Sequence, residues 1–309
     1  MDRMTPEEIN TFLAAVADGF RSMRSPILHT PAEAGLDFED VTFPSRDGVP
    51  LEGWFIPAPG ATKVIIANHP LWFNRAGLPS HLEPWKSHWA PTGNDVEVTF
   101  IPDYRILHDA GYHVLAYDMR NFGLSGSANG GVISGIFEAR DVLGSLDWVR
   151  AHPGLRDAAI GLLSRCMGAN ATLFAMRQDP AAFHDVRCLV APQPLSPRIT
   201  LEQTLTLAGV DAAAHMPTLE SLIRLHNSAP LDDLSPVGPA SSVTVPTLLY
   251  QVRDDVLTRP SDVQAVFDAI PIDDKDLFWI EGSTRRWDGY LHFAQHPARA
   301  LAWFADHMK

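Results

Sequence analysis

Residues 159–173 read Ala-Ile-Gly-Leu-Leu-Ser-Arg-Cys-Met-Gly-Ala-Asn-Ala-Thr-Leu. The apolar run Ile160–Leu163 breaks into Ser164-Arg165-Cys166-Met167-Gly168, after which small and helix-compatible residues resume. This predicts a buried strand, a sharp turn and a helix. A turn that tight needs small residues two before and two after its apex, because larger side chains would strike the adjoining strand and helix. Ser164 and Gly168 fill those places, so Cys166 is the residue held out over the end of the strand.

The stretch resembles the nucleophile elbow G-x-S-x-G of the α/β-hydrolase family, with Ser164 for the first glycine and Cys166 for the serine. A cysteine at this place is similar to the dienelactone hydrolases of that family. The resemblance implies an α/β fold, a mostly parallel central sheet flanked by helices, with the triad in the chain order nucleophile, acid, base.

With 46% hydrophobic and 20% charged residues among 309, the chain has ample material for one large core. Residues 1–309 are expected to form a single α/β-hydrolase domain, with a helical extension over 1–30 and a small helical lid over 192–243. The formal net charge is −13, without any run of Lys or Arg, which argues against nucleic acid and anionic membranes as partners. The acidic N-terminus lacks the pattern of a secretory signal, and no run approaches about 18 apolar residues. A cytoplasmic protein is the expectation. Of the two cysteines, Cys188 lies in an alternating apolar stretch and reads as a buried, inert thiol.

Along the chain, Thr5-Pro6-Glu7-Glu8 is a capping box opening a helix with Ile9, Leu13, Val16 and Phe20 on one face. Asp47-Gly48 marks a hairpin between extended segments, and Lys63–Ala67 is a compact strand ending in His69-Pro70-Leu71-Trp72. In the family this strand end completes the oxyanion hole. Proline has no N–H, so the donor falls to Leu71 ahead of Trp72, in partnership with the N–H of Met167. The connection from Phe73 to Pro102 is rich in Trp, His and Pro. His69, Trp72, Trp85 and Trp89 are candidates for the substrate pocket; each tryptophan could equally pack this loop onto the body. The histidines lack metal-ligand spacing, and neither a metal nor any cofactor is implied. Asp118-x-Arg120-x-x-Gly123-x-Ser125 resembles a loop that the family fastens with its aspartate and arginine. Arg165, beside the cysteine, either tunes the thiol or pairs in the core.

Two later positions complete the set that the resemblance implies. Asp255 follows the strand Pro246–Val252 and fits the acid better than Asp254, while Asp262 reads as a helix-capping residue. His292, after an expected loop over Gly282–Gly289, is the base, ahead of His296 and His307. Cys166, His292 and Asp255 would then cleave an ester, lactone or thioester through an acyl-cysteine, acting on a small acyl substrate of apolar or aromatic character. An acyltransferase, cyclase or C–C bond-cleaving enzyme on the same triad, or a non-catalytic binder, are the alternatives. A serine at position 166 would retain part of the activity on ordinary esters. The extra N-terminal helix makes a homodimer worth testing.

Overall fold

Among the described residues, alternating apolar segments and Gly or Pro breaks resolve into ten strands: β1 (Glu39–Pro44), β2 (Pro50–Ile56), β3 (Lys63–Asn68), β4 (Gly77–Leu78), β5 (Val98–Thr99), β6 (His113–Tyr117), β7 (Ala159–Ser164), β8 (Val186–Pro192), β9 (Thr247–Val252) and β10 (Lys275–Ile280). The computed structural model describes residues 4–225, 227 and 229–309. The first three residues, which entered the reading of the N-terminus, lie outside the described residues. Eight strands form one sheet in the order β1-β2-β6-β3-β7-β8-β9-β10. From β6 onward every pairing is parallel, while β1 and β2 are antiparallel to their neighbours. This is the expected sheet. Its strands are nearly continuous apolar runs because helices cover both faces, and the two large apolar clusters lie on either side of it.

The helices are α1 (Pro6–Asp18), α2 (Trp85–Trp89), α3 (Ile101–Asp109), α4 (Ala139–Ala151), α5 (Met167–Gln178), α6 (Pro197–Leu207), α7 (Ala212–Arg224), α8 (Val237–Ala240), α9 (Pro260–Ala269), α10 (Arg286–Gln295) and α11 (Ala298–His307). None is long and apolar enough to cross a membrane. The Thr5 capping box is formed, with Thr5 N–H donating to Glu8 at 2.7 Å. Ile9, Leu13 and Ala17 of α1 pack on Leu205, Leu219 and Ile223 of α6 and α7, so the N-terminal helix and the segment between β8 and β9 share a third, smaller core. That segment is more helical than its prolines indicate, because Pro197 sits in the permissive first turn of α6 and α7 runs through Pro217. The long connection after Phe73 is likewise ordered: β4 pairs with β5, and α2 lies between them.

The loop after β6 is fastened by its charged pair. Asp118 accepts from the N–H of Arg75 at 2.7 Å and of Leu124 at 2.9 Å, and Arg120 bonds both Asp47 and Asp141. Gly123 is required here: at φ +46° it brings the backbone so close that a Cβ would fall 2.0 Å from the Asp118 carboxylate.

Beside this network Glu138 is fully buried, receiving the N–H of Gly135 at 2.7 Å, and burial followed by the nearby Asp141 pushes its carboxyl up to about 7. An acid whose folded value is raised favours the fold while protonated. The benefit is complete below its unfolded value of 4.5 and is lost as the pH rises through about 7. Glu138→Gln keeps an acceptor for Gly135 but cannot ionise. Urea midpoints are therefore expected to favour the variant over the wild type increasingly from pH 5 to pH 8, by up to about 3 kcal/mol. Equal pH slopes for the two proteins would remove Glu138 as the source.

Candidate active site

Loops leaving the carboxyl ends of five neighbouring parallel strands meet around Cys166. β3 and β7 run in register with Asn68 opposite Ser164, so Leu71 and Cys166 emerge side by side at the same end of the sheet. Pro192 at the end of β8 pairs with Tyr250 of β9, and Ile280 of β10 with Val252, which brings Gln193, Asp255 and the start of α10 to this end as well.

Cys166 has φ +50° and ψ −111° immediately before α5. Among the described residues the non-glycine positions with positive φ are Asn121, Asn129, Trp72 (+64°), Cys166 and Gln193 (+57°). Asparagine tolerates this region; tryptophan, cysteine and glutamine are strained there. All three strained residues follow strands that end at this site.

The surroundings hold the strain in place. A Cβ at Gly168 would lie 2.8 Å from the Asn68 backbone, so the close approach of α5 to β3 requires glycine. Ser164 is more than small: its hydroxyl accepts from Asn68 Nδ2 at 2.8 Å and from Thr172 at 2.9 Å, and Tyr117 Oη donates to Asn68 Oδ1 at 2.7 Å. This buried chain pins the elbow to β3 and β6. The N–H groups of Met167 and Leu71 have no acceptor among the described residues, and that of Met167 opens α5, where the helix dipole adds partial positive charge.

The residue beside the thiol is an arginine. Arg286 and Tyr290, four residues apart and so on one face of α10, are near enough to Cys166 for its thiol to favour the charged form of the arginine and the protonated form of the tyrosine. Arg286 Nη1 donates to Asp255 Oδ2 at 2.7 Å, Nη2 to the Gln193 carbonyl at 2.5 Å, and Nε to Tyr290 Oη at 2.9 Å. Asp255 also accepts from Leu257 N–H at 3.0 Å. Burial works against the Arg286 charge, but Tyr290, Cys166 and Asp255 outweigh it and hold the guanidinium more firmly protonated than an ordinary arginine. Burial pushes the Tyr290 phenol well above its usual value, against the opposing pull of Arg286. The Gln193 side chain donates to the Arg286 carbonyl at 2.8 Å and lies so close to Gly289 that a Cβ there would come within 2.3 Å of it.

His292, expected as the base, is not brought to Cys166. The expected loop over 282–289 is shorter, because Ser283 receives Arg285 N–H at 3.0 Å and bonds Asp288, starting α10 at Arg286. His292 thus falls inside the helix, six residues and a different face away from Arg286. Its ring packs on Tyr250, Phe278 and His296 at 5.4, 5.5 and 5.0 Å, and burial, then His296, push it down to about 4, so it stays neutral. Arg286 stands where the base was expected, and the sequence offered only its spacing to Tyr290 as a signal.

The other candidates divide. His69 is buried and braces the loop: Met119 N–H donates to its Nε2 at 2.9 Å, and its Nδ1 pairs with the Pro70 carbonyl at 2.7 Å. Arg165 points into the core, paired with the buried Asp103 and stacked on Phe100 at 4.3 Å. Trp72 and Trp89 lie 5.1 Å apart, and Trp89 packs on Trp287 at 4.7 Å, which in turn neighbours Tyr290 at 5.4 Å. Trp85 is buried in the same apolar cluster. Trp287, missed by sequence reasoning, ties the long loop to α10, donating to Ser80 Oγ at 2.8 Å while its N–H reaches Asn94 at 2.9 Å. Asp262 is more than a capping residue, since it accepts Ser196 N–H at 2.7 Å. Cys188 is fully buried in β8, and burial pushes its thiol up to about 12. Among the described residues no three of His, Cys, Asp and Glu converge as metal ligands.

No family model and no curated protein sequence matches the chain. Among solved structures it is similar to the Pyrococcus furiosus esterase Pf2001, at 21% identity and a TM-score of 0.68 over 94% of this chain and 98% of that one. It is also similar to the α/β hydrolase GrgF from Penicillium, at 19% identity and TM-score 0.59 over 88% and 99%. The dienelactone hydrolase of Anabaena variabilis matches at 16% identity and TM-score 0.54 over 89% and 99%. The chain has the α/β-hydrolase fold.

Proposed function

We propose that this chain is an acyl-cleaving enzyme that takes the acyl group of an activated ester, lactone or thioester onto Cys166. The observation that carries this reading is the strained cysteine at the strand-to-helix turn, with the buried Arg286 held in place near it by Asp255, the Gln193 carbonyl and Tyr290. An inert structural thiol needs neither the strain nor a buried guanidinium held by three hydrogen bonds.

Arg286 cannot accept the thiol proton; its guanidinium is the fixed positive group that the attacking sulfur faces. Asp255, the Gln193 carbonyl and Tyr290 hold the guanidinium fork in one orientation. Tyr290 Oη accepts from Arg286 Nε, which leaves its own proton for the sulfur. The thiolate attacks the carbonyl carbon, and the resulting oxyanion is met by the N–H groups of Met167 and Leu71. Collapse expels the leaving group and leaves a thioester on Cys166. The aromatic wall of Phe73, Trp89 and Trp287 around Tyr290 favours an apolar or aromatic acyl group.

The test is intact-protein mass spectrometry after exposure to a panel of activated esters, lactones and thioesters, on the wild type and Cys166→Ala. The expected result is an acyl increment in the wild type alone. An increment in both proteins, or in neither together with no turnover, would replace this reading with that of a ligand-binding relative of the fold.

A further inference from the structure

The site has a nucleophile, a fixed cation and an oxyanion pocket, and it lacks a part. Among the described residues no side chain able to take up a proton at neutral pH is hydrogen-bonded to Cys166. Asp255 is engaged by Arg286 at 2.7 Å and Leu257 N–H at 3.0 Å. Both ring nitrogens of His69 are occupied by backbone groups. His292 faces Tyr250 and Phe278, and the His88 ring packs on Trp72 and Trp89. Tyr290 carries its proton and is a poor donor of it, given its burial.

We infer that the site moves an acyl group from a thioester to a second thiol, and that water is a poor acceptor there. This rests on the reading of Cys166 as the acyl acceptor. The chemistry of each step follows from the missing base. Attack by the Cys166 thiolate on R–CO–S–R′ forms the new C–S bond and breaks the old one, releasing R′–S⁻. A thiolate leaves without needing a proton, whereas the alkoxide of an ordinary ester needs one from an acid that this site does not offer. The acyl-cysteine is then attacked by the thiolate of a second thiol, R″–S⁻, giving R–CO–S–R″ and restoring the Cys166 thiolate. No proton moves in either step: the negative charge leaves with R′–S⁻ in the first and returns to Cys166 from R″–S⁻ in the second. Water as the acceptor would have to lose a proton during attack, and general-base help of that kind is worth roughly a hundredfold or more.

The test uses the full chain with phenylacetyl N-acetylcysteamine thioester as the donor, followed by intact mass and by product analysis. The acyl adduct on Cys166 is expected to form, to persist in thiol-free buffer, and to discharge on addition of β-mercaptoethanol at least about a hundredfold faster, with the mercaptoethanol thioester as product. The matching ethyl ester is expected to acylate the protein at least about a hundredfold more slowly than the thioester. An adduct that decays to free phenylacetic acid at a rate indifferent to added thiol overturns the inference while leaving the acyl-cysteine in place. Failure to form any adduct overturns both.

Discussion

Arg286→Met is expected to lower the rate at which Cys166 is acylated by roughly two to three orders of magnitude, the usual effect of removing one charge-stabilising group from a preorganised site. It is also expected to destabilise the fold by about 3–5 kcal/mol, because Asp255 would remain buried without its partner. Arg286 and Asp255 are both nearly fully buried. The two effects separate with Arg286→Lys, which keeps the charge and so most of the stability. A lysine cannot reach Asp255, the Gln193 carbonyl and Tyr290 at once. It should therefore acylate at an intermediate rate. The measurement pairs single-turnover acylation, followed by mass, with a urea midpoint for each variant. Wild-type acylation in a stable Arg286→Met protein would remove the arginine from the chemistry.

Cys166→Ser is expected to fold like the wild type and to form no ester intermediate, with a loss of at least about a thousandfold. This reverses the expectation drawn from a Cys-His-Asp triad, in which a serine would retain part of the activity. A serine hydroxyl holds its proton far more tightly than a thiol and becomes a nucleophile only when a neighbouring base removes that proton. The neighbours here are a guanidinium and a phenol. An oxyester panel and the thioester donor, assayed on both proteins, give the readout. A serine variant with a tenth of the wild-type rate would mean that a base reaches position 166.

Much of this was legible in the residues, for reasons that lie in local geometry. Gly168 and Ser164 mark the elbow because a close helix–strand approach admits nothing larger, and Asp255 follows a strand whose apolar run fixes where its loop begins. The loop expected before His292 was misplaced by a helix boundary. Ser283 and Asp288 start α10 at Arg286, and a histidine expected at a loop end becomes a mid-helix residue facing Tyr250. A shift of a few residues in a helix start rotates every side chain to another face, and periodicity alone does not fix that start. Gln193 and Trp287 were invisible for a different reason: their partners, Arg286, Ser80 and Asn94, are remote in sequence. Arg165 shows the converse, since adjacency to Cys166 in sequence places its side chain on the opposite side of the elbow, against Asp103 and Phe100.

The central proposal, that Cys166 takes up an acyl group with the help of Arg286 and not of an imidazole, is tested most directly by measuring thioester acylation of His292→Ala and Arg286→Lys side by side. His292→Ala acylating within about twofold of the wild type, with Arg286→Lys slowed at least about tenfold, is the result expected from the geometry of the site. Loss of acylation in His292→Ala with Arg286→Lys unimpaired would contradict it.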